Sequence, residues 1–278
     1  MIMQQRVIAS SILSVSFLAV ACVLSVFPGR GLAQEPAKKL PIEGQTIVLG
    51  QSVAFVIPAT AEFRGADGST AKPWVWYAPT LPNLPGPEER WMFERFVQAG
   101  IAIAGIDAGE SYGSPNGNRV FDRLHAEMIR RGYSKTPVML GRSRGGLQTL
   151  SWAADHPDQV AAWAGIYPVC NLASYPGLDR AAGAYELSPE QLKDRLKEFN
   201  PVDRMGRLAQ AKVPLFAIHG DVDTVVPLEL NSGLLKETYA AVRGPAMELV
   251  VPPGQGHNMW EGFFQSKELV DFVVRQAR

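Results

Sequence analysis

Cysteine is nearly absent from this sequence. Two cysteines, Cys22 and Cys170, in 278 residues support neither a disulfide framework nor a four-ligand structural zinc site. Histidine is almost as scarce. No two of the 4 histidines stand at a metal-binding spacing, so no metal is expected. Charge of one sign does not predominate: 27 lysines and arginines face 27 aspartates and glutamates. A nucleic-acid binder carries a basic surplus, and none is expected here as a partner. No Gly-x-Gly-x-x-Gly follows a strand-like run, so no dinucleotide and no other cofactor is expected. Internal repeats are missing as well. Charged residues make up only 19% of the chain against 46% hydrophobic, a balance that builds a large core and excludes a disordered chain. Mean hydropathy is near zero, which excludes a polytopic membrane protein.

Long hydrophobic runs are lacking except at the N-terminus. Residues 7–27 are almost all apolar or small, with Arg6 before them and Pro28-Gly29-Arg30 after. Gly31-Leu32-Ala33 then offers small residues at the positions a signal peptidase reads. Residues 1–33 are therefore read as a secretory signal cut after Ala33, which implies an exported protein, periplasmic or secreted, without stable membrane insertion. The competing reading is an uncleaved anchor, since such a run is long enough to span a bilayer. A lipoprotein reading at Cys22 is weaker. Cleavage after Ala33 removes Arg6, Arg30 and Cys22 but no acid. Cys170 is then a lone thiol, read as a small buried hydrophobe.

Residues 34–45 read as a polar leader. Strand-like and helix-like stretches alternate from there. Residues 46–57 read as two short strands about Gly50, and Trp74-Val75-Trp76-Tyr77 as a strand of bulky residues. A helix is predicted over 88–98, where Trp91, Phe93, Phe96 and Val97 have helical spacing and Gly100 ends the run. The continuous apolar run 101–106 suits a strand buried on both faces. A glycine-rich loop, 107–118, follows. Further strands are predicted at 137–140, 160–166, 213–218 and 247–251, and helices at 120–129, 146–154, 228–242 and 260–274. This alternation predicts an α/β fold: a mostly parallel sheet covered by helices on both faces. Ligands in such sheets bind at the carboxyl ends of the strands. Residues 46–278 are read as one domain of ordinary size. The segment 168–210 interrupts the alternation and is read as a short cap insertion. It holds one clear helix, in which Ser188 can cap, Pro189 suits the first position and Gln191 completes a capping box.

Gly141-Arg142-Ser143-Arg144-Gly145 follows the 137–140 strand and precedes a predicted helix. In that setting Gly-x-Ser-x-Gly describes a nucleophile elbow, a strained strand-to-helix turn that projects the serine hydroxyl at the sheet's edge. A serine hydroxyl is a poor nucleophile unless a base, itself held by an acid, takes its proton. His219-Gly220-Asp221-Val222-Asp223-Thr224-Val225-Val226-Pro227 follows the 213–218 strand and puts carboxylates on a strand-end loop. Gly254-Gln255-Gly256-His257 follows the next strand. The order Ser143, Asp223, His257 is that of the α/β-hydrolase triad, and from residue 46 onward the chain resembles an α/β-hydrolase. The pattern that starts at His219 and ends at Pro227 resembles that of esterases and prolyl-oligopeptidase-type hydrolases. In those families the acid is the aspartate four residues after the histidine, which implies Asp223. Asp221 is the competing candidate, with a loop-supporting hydrogen bond as its other reading. His219 is read as structural, and His125 and His156 as helix residues without a part in the chemistry.

An acyl-transfer site also needs donors for a developing oxyanion. The backbone N–H of Arg144 is the first candidate. The second is expected in the loop after the 74–77 strand; Pro79 and Pro82 have no N–H, which leaves Thr80 or Leu81. The lipase-type His-Gly-Gly-Gly run is absent. Gly141-Arg142-Ser143-Arg144-Gly145-Gly146 resembles the Gly-x-Ser-Arg-x-Gly of glucuronoyl esterases, and the resemblance implies an oxyanion-stabilising role for Arg144. A guanidinium beside the serine favours negative charge on substrate or transition state, which makes Arg142 a candidate substrate contact too. The alternative is that either arginine pairs with a carboxylate such as Asp107 or Glu110. Glu110 and Tyr112 overhang the same sheet edge as candidate substrate contacts or as buttresses of the elbow. Trp260, three residues after His257, is a candidate pocket wall.

The function expected from these residues is that of an exported serine hydrolase cleaving carboxylic esters through an acyl-enzyme, on a small-molecule, carbohydrate-linked or acidic ester. The first alternative is a prolyl-oligopeptidase-type serine peptidase. Such peptidases usually carry an N-terminal propeller, for which the 245 residues after Ala33 leave no room. The second is a non-catalytic binding protein on the same scaffold.

Overall fold

Strands covered on both faces need no polar side, and the central strands of this protein have none. The computed structural model describes residues 38–61 and 70–277, which lie in one compact unit. The expected signal segment, 1–33, lies outside the described residues. Eight strands are β1 (Gln45–Leu49), β2 (Ser52–Ile57), β3 (Trp74–Ala78), β4 (Ala102–Ile106), β5 (Val138–Arg142), β6 (Ala162–Ile166), β7 (Leu215–Ile218) and β8 (Glu248–Val250). They form one sheet in the order β1-β2-β4-β3-β5-β6-β7-β8. β2 runs antiparallel to β1 and β4, and every other pair is parallel. Every residue of β3 through β7 is buried.

The helices are α1 (Arg90–Gln98), α2 (Pro115–Arg130), α3 (Gly145–Asp155), α4 (Leu178–Ala181), α5 (Pro189–Asp194), α6 (Leu196–Phe199), α7 (Met205–Gln210), α8 (Ser232–Ala241), α9 (Glu261–Phe264) and α10 (Lys267–Gln276). On one face of the sheet, Phe121, Leu124, Trp152, Leu208 and Leu235 from α2, α3, α7 and α8 share a buried cluster with Trp74, Trp76, Trp163 and Leu215 of the strands, in which Phe121 and Trp152 meet Trp76 ring to ring. On the other, Phe93 and Phe96 of α1 and Phe272 of α10 pack on Val75, Tyr77 and Phe216. Each such side chain contributes roughly 1.5–3 kcal/mol by leaving water. A third cluster joins Tyr112 and Val226, from loops at the strand ends, and Leu147 of α3 to Leu172, Tyr185 and Leu192 of the 168–210 segment. Cys170 is fully buried, and its burial pushes the thiol well above its ordinary pKa.

The helix boundaries depart from the sequence expectation where a side chain captures the backbone. Residues 115–118, read as loop, belong to the start of α2, because the Ser114 hydroxyl accepts the Gly117 N–H and Pro115 suits the first helical position. The single helix expected over 228–242 breaks at Asn231. Its buried amide accepts the Cys170 N–H and donates to Ser174 and the Pro227 carbonyl instead of continuing the helix. The helix expected over 260–274 is two, because Ser266 caps α10 afresh. Residues 168–210 hold α4 to α7 and short 3-10 turns rather than one helix. The capping box of Ser188 and Gln191 is present in α5.

Candidate active site

The turn from β5 into α3 is built by glycine. A Cβ on Gly145 would collide with the Ala78 carbonyl, and one on Gly141 would stand 2.6 Å from the Thr149 hydroxyl. Without those side chains the strand and helix close together. Ser143 between them is driven to a φ of 49°, a left-handed conformation that costs an L-residue energy and persists only when its surroundings impose it. The imposition is visible: Ser143 N–H donates to Ile166 at 3.0 Å, and its carbonyl accepts from Gly146 at 2.9 Å and Val169 at 2.8 Å.

The loops after β7 and β8 bring an acid and a base to this serine. His257 Nε2 lies 2.9 Å from Ser143 Oγ, and His257 Nδ1 lies 2.8 Å from Asp223 Oδ2. The other Asp223 oxygen accepts the N–H groups of Val225 at 3.0 Å and Val226 at 2.8 Å. Burial of this carboxyl raises its pKa, but hydrogen bonds from His219, His257 and Val226 outweigh that and hold it well below the usual carboxylate range. A charged Asp223 keeps the proton on His257 Nδ1 and leaves the Nε2 lone pair toward the hydroxyl. Asp221 faces elsewhere and accepts the Gly254 N–H at 2.6 Å, bracing the loop that carries His257. His219 is fully buried. Its Nε2 donates to the Val226 carbonyl at 2.8 Å and stands 3.3 Å from Asp223, while Ser232 Oγ meets its Nδ1 at 2.8 Å.

Arg144 stands at the entry to α3, where N–H groups have no acceptor within the helix. Thr80 and Leu81 follow β3 and are held in an unforeseen way. The Lys38 ammonium donates to the carbonyls of Thr80 at 2.7 Å, Leu81 at 2.9 Å and Leu84 at 2.7 Å. Burial lowers the Lys38 pKa, and the nearby Asp107 charge opposes that shift. Nothing in the sequence pattern points to Lys38, because the leader and the loop are joined only by the fold. The buried Thr80 hydroxyl has no hydrogen-bond partner among the described residues.

The flanking arginines take different parts. Arg142 does not line the cleft as a substrate contact: its side chain is 6% exposed, and its nitrogens reach Glu89, Tyr167 and Met259. The sheet turns it inward because successive strand residues point to opposite faces. Arg144 is part exposed and pairs with Glu110 beside the serine. Tyr112 has a φ of 48° and its carbonyl accepts the Tyr185 hydroxyl from the cap at 2.8 Å. Burial, then the Glu110 charge, raises the Tyr112 pKa. Trp260 is 39% exposed and its indole meets Phe263 edge-on at 5.3 Å.

Sheet order, elbow and strand-end loops define a serine hydrolase of the α/β-hydrolase fold. Residues 126–276 match the prolyl oligopeptidase family (Peptidase_S9), more than half of the chain, and the protein belongs to that family. No curated protein matches it. Among solved structures it is similar to Est1E from Butyrivibrio proteoclasticus, at 17% identity and TM-score 0.61, covering 84% of this chain and 98% of Est1E. It is similar to Mycobacterium tuberculosis MPT51 at 13% identity and TM-score 0.64, covering 85% of this chain and 100% of MPT51. A puromycin-hydrolyzing peptidase of Mycobacterium tuberculosis gives 17% identity and TM-score 0.61, with 84% of this chain but 39% of the peptidase covered.

Proposed function

We propose that this serine hydrolase cleaves carboxylic esters through Ser143, His257 and Asp223, and that it acts outside the cytoplasm after loss of residues 1–33. The observation that carries the reading is the continuous hydrogen-bonded chain from Ser143 Oγ through His257 to Asp223. Ser143 Oγ attacks the acyl carbon and passes its proton to His257 Nε2. Asp223, held charged, stabilises the imidazolium that forms. The Arg144 N–H, with a donor from Thr80 or Leu81, meets the oxyanion. His257 returns the proton to the leaving alkoxide, and water releases the acyl group by the same route. Glu110 and Trp260, and Tyr112 beneath the cap, are the residues proposed to contact the substrate.

Purified enzyme is to be assayed on short-acyl p-nitrophenyl esters, acetylated sugars, uronate methyl esters and dipeptide amides, with Ser143→Ala in parallel. Ester turnover that Ser143→Ala lacks supports the proposal. Turnover confined to the amides moves the protein to the peptidase reading, and wild-type turnover by Ser143→Ala removes the serine from the chemistry. Edman sequencing of the exported protein checks cleavage after Ala33.

A further inference from the structure

A buried ion pair is a poor source of stability, because desolvation offsets the attraction between its charges. This protein has one directly beneath the site. Arg142, the neighbour of Ser143, meets Glu89 Oε1 at 2.5 Å with both side chains almost completely buried. Glu89 also accepts the Tyr77 hydroxyl at 2.6 Å and the Gly86 N–H at 2.7 Å. The remaining Arg142 nitrogens run toward the base. Nε donates to the Tyr167 hydroxyl at 3.1 Å, and a terminal nitrogen donates to Met259 Sδ at 2.9 Å, two residues after His257.

Tyr167 is the link. It follows β6, where its N–H donates to Ile218 at 2.8 Å, and it is held at a φ of 33°. Its ring centroid lies 4.4 Å from that of His257, and Phe263 meets the same ring edge-on at 5.0 Å and 88°. One side of the imidazole therefore rests on a ring whose hydroxyl is fixed by Arg142 and whose edge is fixed by Phe263. We propose that Tyr167 is a positioning residue for His257, and that the Arg142–Glu89 pair exists to hold the Tyr167 ring in the plane that aims Nε2 at Ser143. The inference rests on the reading of Ser143 and His257 as nucleophile and base. It assigns a use to an arginine whose side chain the reaction does not touch.

The test is the rate of fluorophosphonate labelling, which reports base-assisted attack by the serine without a known substrate. Saturation kinetics separate the maximal inactivation rate from the apparent affinity for the probe. Misplacing a reacting group by about 1 Å costs on the order of 10²-fold. Tyr167→Leu, folded by circular dichroism, is expected to lose roughly 10–100-fold in maximal rate with the affinity unchanged. Tyr167→Phe keeps the ring but loses the hydroxyl that Arg142 holds, and its maximal rate is expected to fall between those of Tyr167→Leu and wild type. Arg142→Lys keeps the charge opposite Glu89 but lacks the fork that reaches Tyr167 and Met259, and it too is expected to lose maximal rate. Wild-type maximal rate in Tyr167→Leu, or a loss carried wholly by affinity, overturns the proposal. If Tyr167→Leu does not fold, Arg142→Lys decides by the same criteria. Labelling of Ser143→Ala would sink the nucleophile assignment instead, so the two failures are distinct.

Discussion

Ser143 and Asp223 are the residues on which the surroundings act hardest. One is forced into a left-handed backbone by its neighbours, and the other is buried yet held charged by saturated hydrogen bonding. The two aspartates of the same loop should therefore separate cleanly on mutation. Asp223→Asn replaces the charged, acceptor-only carboxylate that fixes the His257 tautomer by an amide that can also donate, and a loss of about 10⁴-fold in kcat is expected. Asp221→Asn alters only the Gly254 contact, for whose N–H the amide oxygen remains a neutral acceptor, and should stay within about tenfold of wild type. Ester kinetics on both variants check this, and the reverse ranking would make Asp221 the acid. Arg144 presents a different case, because its guanidinium is occupied by Glu110. A lysine can keep a part-exposed pair worth roughly 0.2–1 kcal/mol, and the backbone N–H is untouched. Arg144→Lys is expected to hold kcat on a neutral acetate ester within about threefold. A fall of 10²-fold or more, the usual cost of an oxyanion donor, would place the guanidinium on the transition state.

The elbow between β5 and α3 shows how much an element depends on what it leaves out. Gly145→Ala puts a methyl group against the Ala78 carbonyl, and backbone on both sides has little room to yield. The expected result is a soluble yield far below wild type or, in recovered protein, loss of fluorophosphonate labelling. Normal yield with normal labelling would show that the turn relaxes. Strands β3 to β7 and this turn were legible in the sequence because they obey local rules. Continuous apolar runs mark strands covered twice, and Gly-x-Ser-x-Gly between strand and helix marks the elbow. The helix ends were less legible. Ser114, Asn231 and Ser266 look like ordinary loop or helix residues until their caps and cross-links are seen. Helices α4 to α7 are 4–6 residues long, under two turns, and too short to display a period. The direction of Arg142 was implicit in strand alternation, but its partners Glu89 and Tyr167 lie far away in the chain. Only the assembled sheet brings them together.

Across the whole molecule, the sheet buries apolar residues against helices on both faces, so the charged groups of the site sit at one edge of a core that contributes most of the stability. Asp223 couples that site to the fold. Its native pKa lies below the unfolded value of ~3.9, so its stabilising contribution is complete above about pH 5. That contribution is lost as pH falls through the unfolded value toward the native one. Thermal melts of wild type and Asp223→Asn should therefore differ most near neutral pH and converge as pH drops below about 4. A gap independent of pH would mean that the carboxylate charge does not stabilise the native state.

Lys38 carries a consequence for where the chain can be shortened. It lies five residues beyond the expected cut after Ala33, and its ammonium gathers the carbonyls of Thr80, Leu81 and Leu84. Trimming by a protease that removes Lys38 would leave the hydrolase domain whole but release the loop expected to complete the oxyanion hole. A purification tag joined at Leu40 and one joined before Lys38 are therefore expected to give enzymes of different activity.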